Sequence, residues 1–330
     1  MRILLVKTSS LGDVIHNLPV VSDLARNFPG AQIDWIVEEA FAAIPRLHPA
    51  VRRVIPVAVR RWRKNLLSPR TWREMREFRR VISADFHDAV LDTQGLLKSA
   101  LIAHQARGPR LGLDRDSARE PLAARFYDRS FAIPKNLHAV ERNRQLAAAA
   151  LAYSLTAPLL PALDYGIRAL TPAGSERLPS PAPWLPAGDY AVLLTATSRT
   201  DKEWPEADWI ALGRALGERG LRCVLPAGSA VERERAARLA AALDGAIAAP
   251  PLDIAALAGL MAGARIVIGV DTGLTHLAAA LDRPTVGIFC GSDPRLTGVF
   301  AGERAINLGG SGAPPAAQAV IATCGELLHP

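Results

Sequence analysis

No apolar run in this sequence is long enough to cross a bilayer as a helix. The run near its start, Ile3–Val6, stops at Lys7, whereas a spanning helix needs about 18–20 such residues and a secretory signal about 7–15. A cytoplasmic protein with no leader is expected. Cysteine is scarce: Cys223, Cys290 and Cys324 are widely spaced and odd in number, which excludes a disulfide framework and a paired-cysteine zinc site. They read as small buried hydrophobes. Two phosphate-loop patterns are also missing. There is no G-x-x-x-x-G-K-[ST] and no G-x-G-x-x-G, so a Walker-type nucleotidase is excluded and a dehydrogenase loses its best support.

Negative charge is short in one half only. Residues 1–170 hold 26 Lys+Arg against 16 Asp+Glu, while residues 171–330 hold 13 against 16, within an overall +7. The excess is concentrated between Arg52 and Arg80, where eleven Arg or Lys face only Glu74 and Glu77. A nucleic-acid-binding surface would be more evenly basic. The pattern points to an anionic partner for the first half and away from nucleic acid.

The chain has 330 residues, 49% hydrophobic and 22% charged, an ordinary globular mix and enough for two domains. Short apolar runs predict strands at Arg2–Lys7, Gln32–Val37, Arg53–Val57 and Ala89–Asp92. Helical stretches lie between them at Leu11–Phe28, Pro69–Ala84 and Leu96–Gln105. Seven prolines between Thr156 and Gly188 then interrupt the pattern, because proline lacks the amide that either regular element needs. Alternation resumes with strands at Tyr190–Thr195, Arg222–Leu225, Arg265–Val270 and Thr285–Phe289, and helices at Pro205–Arg219, Val231–Leu243 and Ala316–Leu328. Such alternation implies α/β architecture with parallel sheets, and ligands at the carboxyl ends of their strands.

Three strand-to-helix junctions carry polar groups. Lys7-Thr8-Ser9-Ser10-Leu11-Gly12-Asp13 follows the first strand; Asp13 either favours the helix dipole or stands in a cleft as a general base. Thr195–Pro205 follows the first strand of the second half. Thr197, Ser198 and Lys202 there suit a phosphate ahead of a helix, or form a plain surface loop. Val270-Asp271-Thr272-Gly273-Leu274-Thr275-His276 opens a third helix, whose free amides favour an anion, with His276 one turn on. Glu232 follows Leu225-Pro226-Ala227-Gly228-Ser229 and reads more readily as a cap than as a ribose ligand. Asp114-Arg115-Asp116 has the D-x-D spacing of a metal site but sits among charged, turn-like residues, and reads as a solvated loop.

Together these motifs resemble glycosyltransferase family 9, and its heptosyltransferase I branch in particular. The resemblance is carried by Val6–His16, Asp34–Glu39, Ile55–Lys64, Ala118–Ala123, Lys202–Pro205 and Val270–Leu277. The K-T-S-S-x-G-D opening favours that branch over heptosyltransferase II. The resemblance implies a GT-B fold, two Rossmann-like doubly wound domains facing across a cleft. It implies an inverting, metal-independent enzyme with no cofactor, moving heptose from ADP-heptose to the Kdo of Kdo-bearing lipid A. Asp13 matches the catalytic base. The donor-binding set is Thr197, Ser198, Lys202, Glu232, Asp271, Thr272, Gly273, Leu274 and His276, with Glu232 now a ribose ligand. The acceptor set is Lys7, Ser10, Arg60, Arg61, Arg63, Lys64 and Arg119.

The expected layout is an acceptor domain over 1–165, a proline-rich linker over 166–188 and an ADP-heptose domain over 189–312. A closing helix occupies 313–330, for which packing on the first domain is one open arrangement. Attachment to the anionic inner-membrane surface, at its cytoplasmic face, is expected of the basic half. The alternatives are another family 9 transferase with a different acceptor and a non-catalytic nucleotide-sugar- or lipopolysaccharide-binding protein.

Overall fold

The structure is a computed structural model that describes residues 1–155, 163–167, 183–185, 188–197 and 199–328. The chain divides into two compact units, Met1–Gly166 and Ile167–Pro330. Most of the predicted linker, 166–188, lies outside the described residues, as does Ser198.

The first unit is built on six strands, β1 (Arg2–Val6), β2 (Gln32–Glu38), β3 (Val51–Val57), β4 (Ala89–Asp92), β5 (Arg110–Leu113) and β6 (Arg129–Phe131). All neighbours pair in parallel, in the order β3-β2-β1-β4-β5-β6. Leu4, Val6, Ile36 and Val90 form one core cluster with Phe78 and Ile82 of the helix Pro69–Ala84 and Ile102 of the helix Leu97–Ala103. The intervening Ile3, Leu5, Ile33 and Trp35 are buried as completely and point to the other face, since side chains alternate along a strand. Burial on both faces is why these strands read as unbroken apolar runs.

The helix predicted over Leu11–Phe28 is two, Leu11–Ile15 and Leu18–Asn27. Pro19 is the cause: it has no amide to donate to the Ile15 carbonyl. The strand pair β5 and β6 and the helix Ala139–Leu151 were not anticipated. β6 is a three-residue edge strand with two exposed residues, too short and polar to stand out.

The second unit repeats the design with β7 (Tyr190–Leu194), β8 (Arg222–Leu225), β9 (Ile247–Ala248), β10 (Ile266–Val270), β11 (Thr285–Phe289) and β12 (Ala305–Gly309). These are again all parallel, ordered β12-β11-β10-β7-β8-β9. Counted from its own first strand this is the same order as in the first unit, the doubly wound arrangement of dinucleotide-binding folds. Its core joins Ile266, Ile268 and Ile288 to Trp204 and Trp209, whose rings meet edge to face at 5.1 Å. The closing helix, Ala317–Leu328, sends Ala317, Val320 and Cys324 into this same cluster. It therefore packs into the second unit's core. All three cysteines are buried and free.

One buried charge ties β2 to β3 in the first unit. Asp34 is 0% exposed and accepts from Arg52 at 2.9 and 2.6 Å and from Arg53 at 2.8 Å, with His87 Nε2 3.4 Å away. Burial pushes its pKa up, but the hydrogen bonds from His87 and the arginines outweigh it and hold the carboxyl at about 2. A folded-state pKa below the unfolded value contributes stability at neutral pH, lost as pH falls from about 4 through 2. Asp34→Asn should destabilise the first unit by about 2–3 kcal/mol at pH 7, below the usual buried-pair range because both arginines are partly solvated. Urea unfolding at pH 7 and pH 3 checks this: the deficit should shrink at the lower pH.

Candidate active site

In a parallel doubly wound sheet, a crevice opens where the strand order reverses, beyond the carboxyl ends of the two central strands. In the first unit that point lies between β1 and β4, and in the second between β7 and β10. The polar junctions singled out in the sequence follow β1, β7 and β10.

After β1, the loop Thr8–Ser10 is clamped by the segment after β4. Gln94 Oε1 accepts from the amides of Thr8 and Ser9 at 2.8 and 3.1 Å, and Gln94 Nε2 donates to the Ser9 carbonyl. Gln94 is fixed in turn by Asp92, whose Oδ1 accepts from the Gln94 amide at 2.8 Å and whose Oδ2 accepts from Tyr127 at 2.8 Å. Gly112 makes room for that phenol, since a Cβ there would lie 2.4 Å from the Tyr127 ring. Burial raises the Asp92 pKa, opposed by its hydrogen bonds and Lys7.

The clamped loop starts the helix that bears Asp13. Asp13 Oδ2 accepts from the Ser10 amide at 2.6 Å and the Ser10 hydroxyl at 3.0 Å. Both bonds end on one oxygen of a half-buried carboxylate. The helix-start role weighed in the sequence is thus present, and it fixes the carboxylate at the strand's end.

Lys7 is placed differently from expectation. It is buried, and its ammonium donates to the Thr93 carbonyl at 2.8 Å and to Asn143 at 3.2 Å. Burial lowers its pKa, with Asp13 and Asp92 opposing. Lys7 therefore supports the loop from beneath. Lys98, unforeseen in the sequence, donates to Ser9 Oγ at 2.8 Å. Burial lowers its pKa too, and Glu38 and Asp13 oppose while Arg60 and Arg63 reinforce it. Lys98 thus links the Asp13 loop electrostatically to the basic segment.

In that segment Arg60, Arg63 and Lys64 are exposed, as is Arg119 after β5. The Arg60 guanidinium lies 5.0 Å over the Phe41 ring. Arg61 is committed elsewhere: Glu39 takes it at 3.0 and 3.1 Å and Glu74 at 2.7 Å, which leaves it a bracing role. Asp114 caps its own turn by accepting from the Ser117 amide at 2.8 Å. Among the described residues no three His, Cys, Asp or Glu gather as metal ligands would.

The second unit centres on Asp271, at the end of β10. Lys202 Nζ lies 2.6 Å from Oδ2, Ser292 also donates to Oδ2, and His276 Nε2 lies 3.8 Å from Oδ1. The Thr197 hydroxyl donates to the Asp271 carbonyl at 3.1 Å. Burial opposes ionisation of Asp271, but His276, Lys202 and Ser292 hold its pKa well below the usual carboxylate range. Gly291 allows the Ser292 turn to come in, because a Cβ there would lie 2.7 Å from the Asp201 carbonyl. Trp204 anchors the Lys202 loop, donating to the Pro315 carbonyl at 2.9 Å while its own carbonyl accepts from Arg235 at 2.7 Å.

Beside this knot is a cavity of about 300 Å³. Leu194, Pro226, Leu252, Leu257 and Leu274 give it apolar walls, and Thr197, Thr272 and Glu232 give it a polar rim. Glu232 Oε2 accepts from the amides of Gly228 and Ser229 at 2.9 and 3.0 Å, and Ser229 Oγ accepts from the Glu232 amide at 3.2 Å. That is the capping box first read from the sequence, standing at the cavity's edge. Thr272 is the N-cap of Gly273–Ala280 with no side-chain cap bond, so the first amides of that helix are left for other acceptors.

Two doubly wound units, each with a polar site at its switch point, make a GT-B architecture, and the relatives of this chain are glycosyltransferases. Solved structures agree. The chain aligns over 99% of its length with E. coli heptosyltransferase WaaC bound to ADP, at TM-score 0.89 and 43% identity over 100% of that chain. The same enzyme with ADP-2-deoxy-2-fluoro heptose gives TM-score 0.86, over 99% of both chains. Residues 75–321 match the profile of Glycosyltransferase family 9 (heptosyltransferase). Lipopolysaccharide heptosyltransferase 1 of Pseudomonas aeruginosa is 50% identical over 98% of this chain and 87% of that protein. The protein of the same name from E. coli K12 is 45% identical over 93% of each. The chain belongs to glycosyltransferase family 9.

The clamp makes a specific demand on Gln94. Gln94→Leu strands two loop amides and should cost about 2 kcal/mol of stability. It should also lower turnover by about tenfold or more by loosening the loop that sets Asp13. Affinity for ADP, measured by calorimetry, should stay unchanged because the second unit is untouched.

Proposed function

We propose that this enzyme transfers L-glycero-D-manno-heptose from ADP-heptose to the Kdo of Kdo-bearing lipid A, with inversion at the anomeric carbon and without a metal. The second unit takes the donor and the first takes the acceptor. One observation carries the reading: an apolar cavity and an ordered cation stand side by side at the switch point between β7 and β10. An adenine ring suits the walls of Leu194, Pro226, Leu252, Leu257 and Leu274, and a diphosphate suits Lys202 and the amides at the start of Gly273–Ala280. Support also comes from the relatives, which carry the name heptosyltransferase 1 at 45–50% identity, and from the ADP and heptose analogue held by the similar E. coli enzyme.

In the proposed reaction the acceptor hydroxyl oxygen attacks the anomeric carbon as the bond to the β-phosphate oxygen breaks. Asp13 takes the hydroxyl proton, and ADP leaves with the bonding pair. Lys202 holds the leaving diphosphate, exchanging part of its contact with Asp271 for phosphate oxygens, and His276 stands near them. Thr197, Ser198, Thr272 and Leu274 frame the nucleotide. Asp271, relieved of that charge, faces the heptose, and Glu232 turns from cap to ribose ligand. Arg60, Arg63, Lys64 and Arg119, with Ser10, meet the acceptor's carboxylates and phosphates. The same basic face holds the enzyme at the cytoplasmic side of an anionic membrane.

Asp13→Asn should keep ADP-heptose affinity while turnover falls by about a thousandfold or more. Lys202→Ala should instead weaken ADP by about tenfold or more. Calorimetry and a transfer assay separate the two, and unchanged turnover in the Asp13 variant would remove the base from the scheme. Transfer should persist in EDTA; a loss restored by magnesium would overturn the metal-free reaction.

A further inference from the structure

Of the eleven cations between Arg52 and Arg80, five are committed to carboxylates. Arg52 and Arg53 hold Asp34, Arg61 holds Glu39 and Glu74, Arg70 holds Glu74 and Arg80 holds Glu77. Among the described residues, Arg63, Lys64, Arg73, Arg76 and Arg79 make no ion pair and are exposed. Arg76 and Arg79 lie four and seven positions after Trp72 in the helix Pro69–Ala84, so all three share one face.

Large apolar side chains stand out in the same place. Leu67 is 99% exposed, Leu66 51% and Trp72 50%. Their backbone is held firmly. The Asn65 amide donates to Trp62 at 2.9 Å, the Ser68 amide to Asn65 at 3.1 Å, and Trp72 Nε1 to the Leu66 carbonyl at 2.8 Å. Trp62 roots the loop in the core: it is buried, sits edge to face with Phe78 at 5.8 Å, and donates to Glu74 at 2.9 Å. The leucines are thus presented by an ordered tip, although water is a poor solvent for them.

We propose that this tip inserts into the headgroup region of an anionic bilayer, with Leu66 and Leu67 entering the acyl boundary. Charge decides the occupant. Five unpaired cations on the same loop and helix as two leucines and a tryptophan repel a second copy of the same tip and complement anionic lipid. Trp72 has the amphipathic ring that settles at a membrane interface. The inference deepens the peripheral attachment proposed above, on which it rests, by assigning the residues that enter the lipid. It also places Arg63 and Lys64 at headgroup depth, where the phosphates and carboxylates of a lipid acceptor lie.

Co-sedimentation of the full chain with phosphatidylethanolamine vesicles, with and without phosphatidylglycerol, tests this in the absence of any sugar substrate. Wild-type protein should bind the phosphatidylglycerol vesicles in a salt-sensitive manner. Leu66→Ser with Leu67→Ser should weaken that binding by about tenfold or more, and Arg76→Gln with Arg79→Gln should weaken it and reduce its salt sensitivity. Both double variants should retain the wild-type melting temperature and the wild-type rate on a water-soluble, deacylated acceptor, which excludes misfolding. Binding that needs the arginines but is indifferent to the leucines would overturn insertion while leaving electrostatic attachment in place. No binding to phosphatidylglycerol vesicles would overturn both. A leucine-dependent dimer in sedimentation equilibrium would assign the tip to a second copy and likewise overturn the proposal.

Discussion

Strands in a parallel sheet all end at one edge, and where their order reverses, the two central connections depart to opposite faces. The gap left there is the one place on a doubly wound sheet where polar side chains gather without disturbing a core. This chain uses that constraint twice, with the same strand order in both units. The groups assigned to the proposed reaction are arranged around it. In the first unit the gap is bordered by the Asp13 loop and by Gln94, and in the second by the Lys202 loop and by Asp271.

The two units fill the same position with one dipeptide turned to different ends. The fourth strand of each unit in chain order leads into Asp-Thr: Asp92-Thr93 at the end of β4 and Asp271-Thr272 directly after β10. Asp92 is wholly buried and spends its oxygens on Gln94, Gly95 and Tyr127; it organises a loop. Asp271 is bound by Lys202, Ser292 and His276 and holds a lysine beside the cavity. The first carboxylate sets geometry; in the proposed reaction the second yields its cation to an incoming phosphate. That contrast suits the proposed division, a first unit that positions a base and a second that holds an anionic leaving group.

The parallel α/β character, the two units and the three polar junctions were legible because buried strands write themselves as unbroken apolar runs, followed directly by polar loops. The break at Pro19 is written in the sequence too, but the apolar spacing runs through it and masks it. Gln94, Lys98 and Ser292 were not found, since each acts through contacts with residues far away in sequence. The repeated Asp-Thr at the end of the fourth strand was the available signal for Gln94. Short edge strands such as Arg129–Phe131 carry too few residues to show a period. Local pattern also overstated the basic segment, because it counts charges and cannot see that Arg61 is already balanced by Glu39 and Glu74. For Glu232, the cap read from the residues is observed at the cavity rim, where the ribose contact implied by resemblance would also lie.

The central claim is that an ADP-heptose site in the second unit serves a Kdo acceptor held by the first. Its most direct test is mass spectrometry of lipid products after incubation with ADP-heptose, comparing Kdo-bearing lipid A with the same lipid already carrying one heptose. The account predicts one added heptose on the first substrate and none on the second. Transfer only to the heptose-bearing lipid, or to neither, would contradict it.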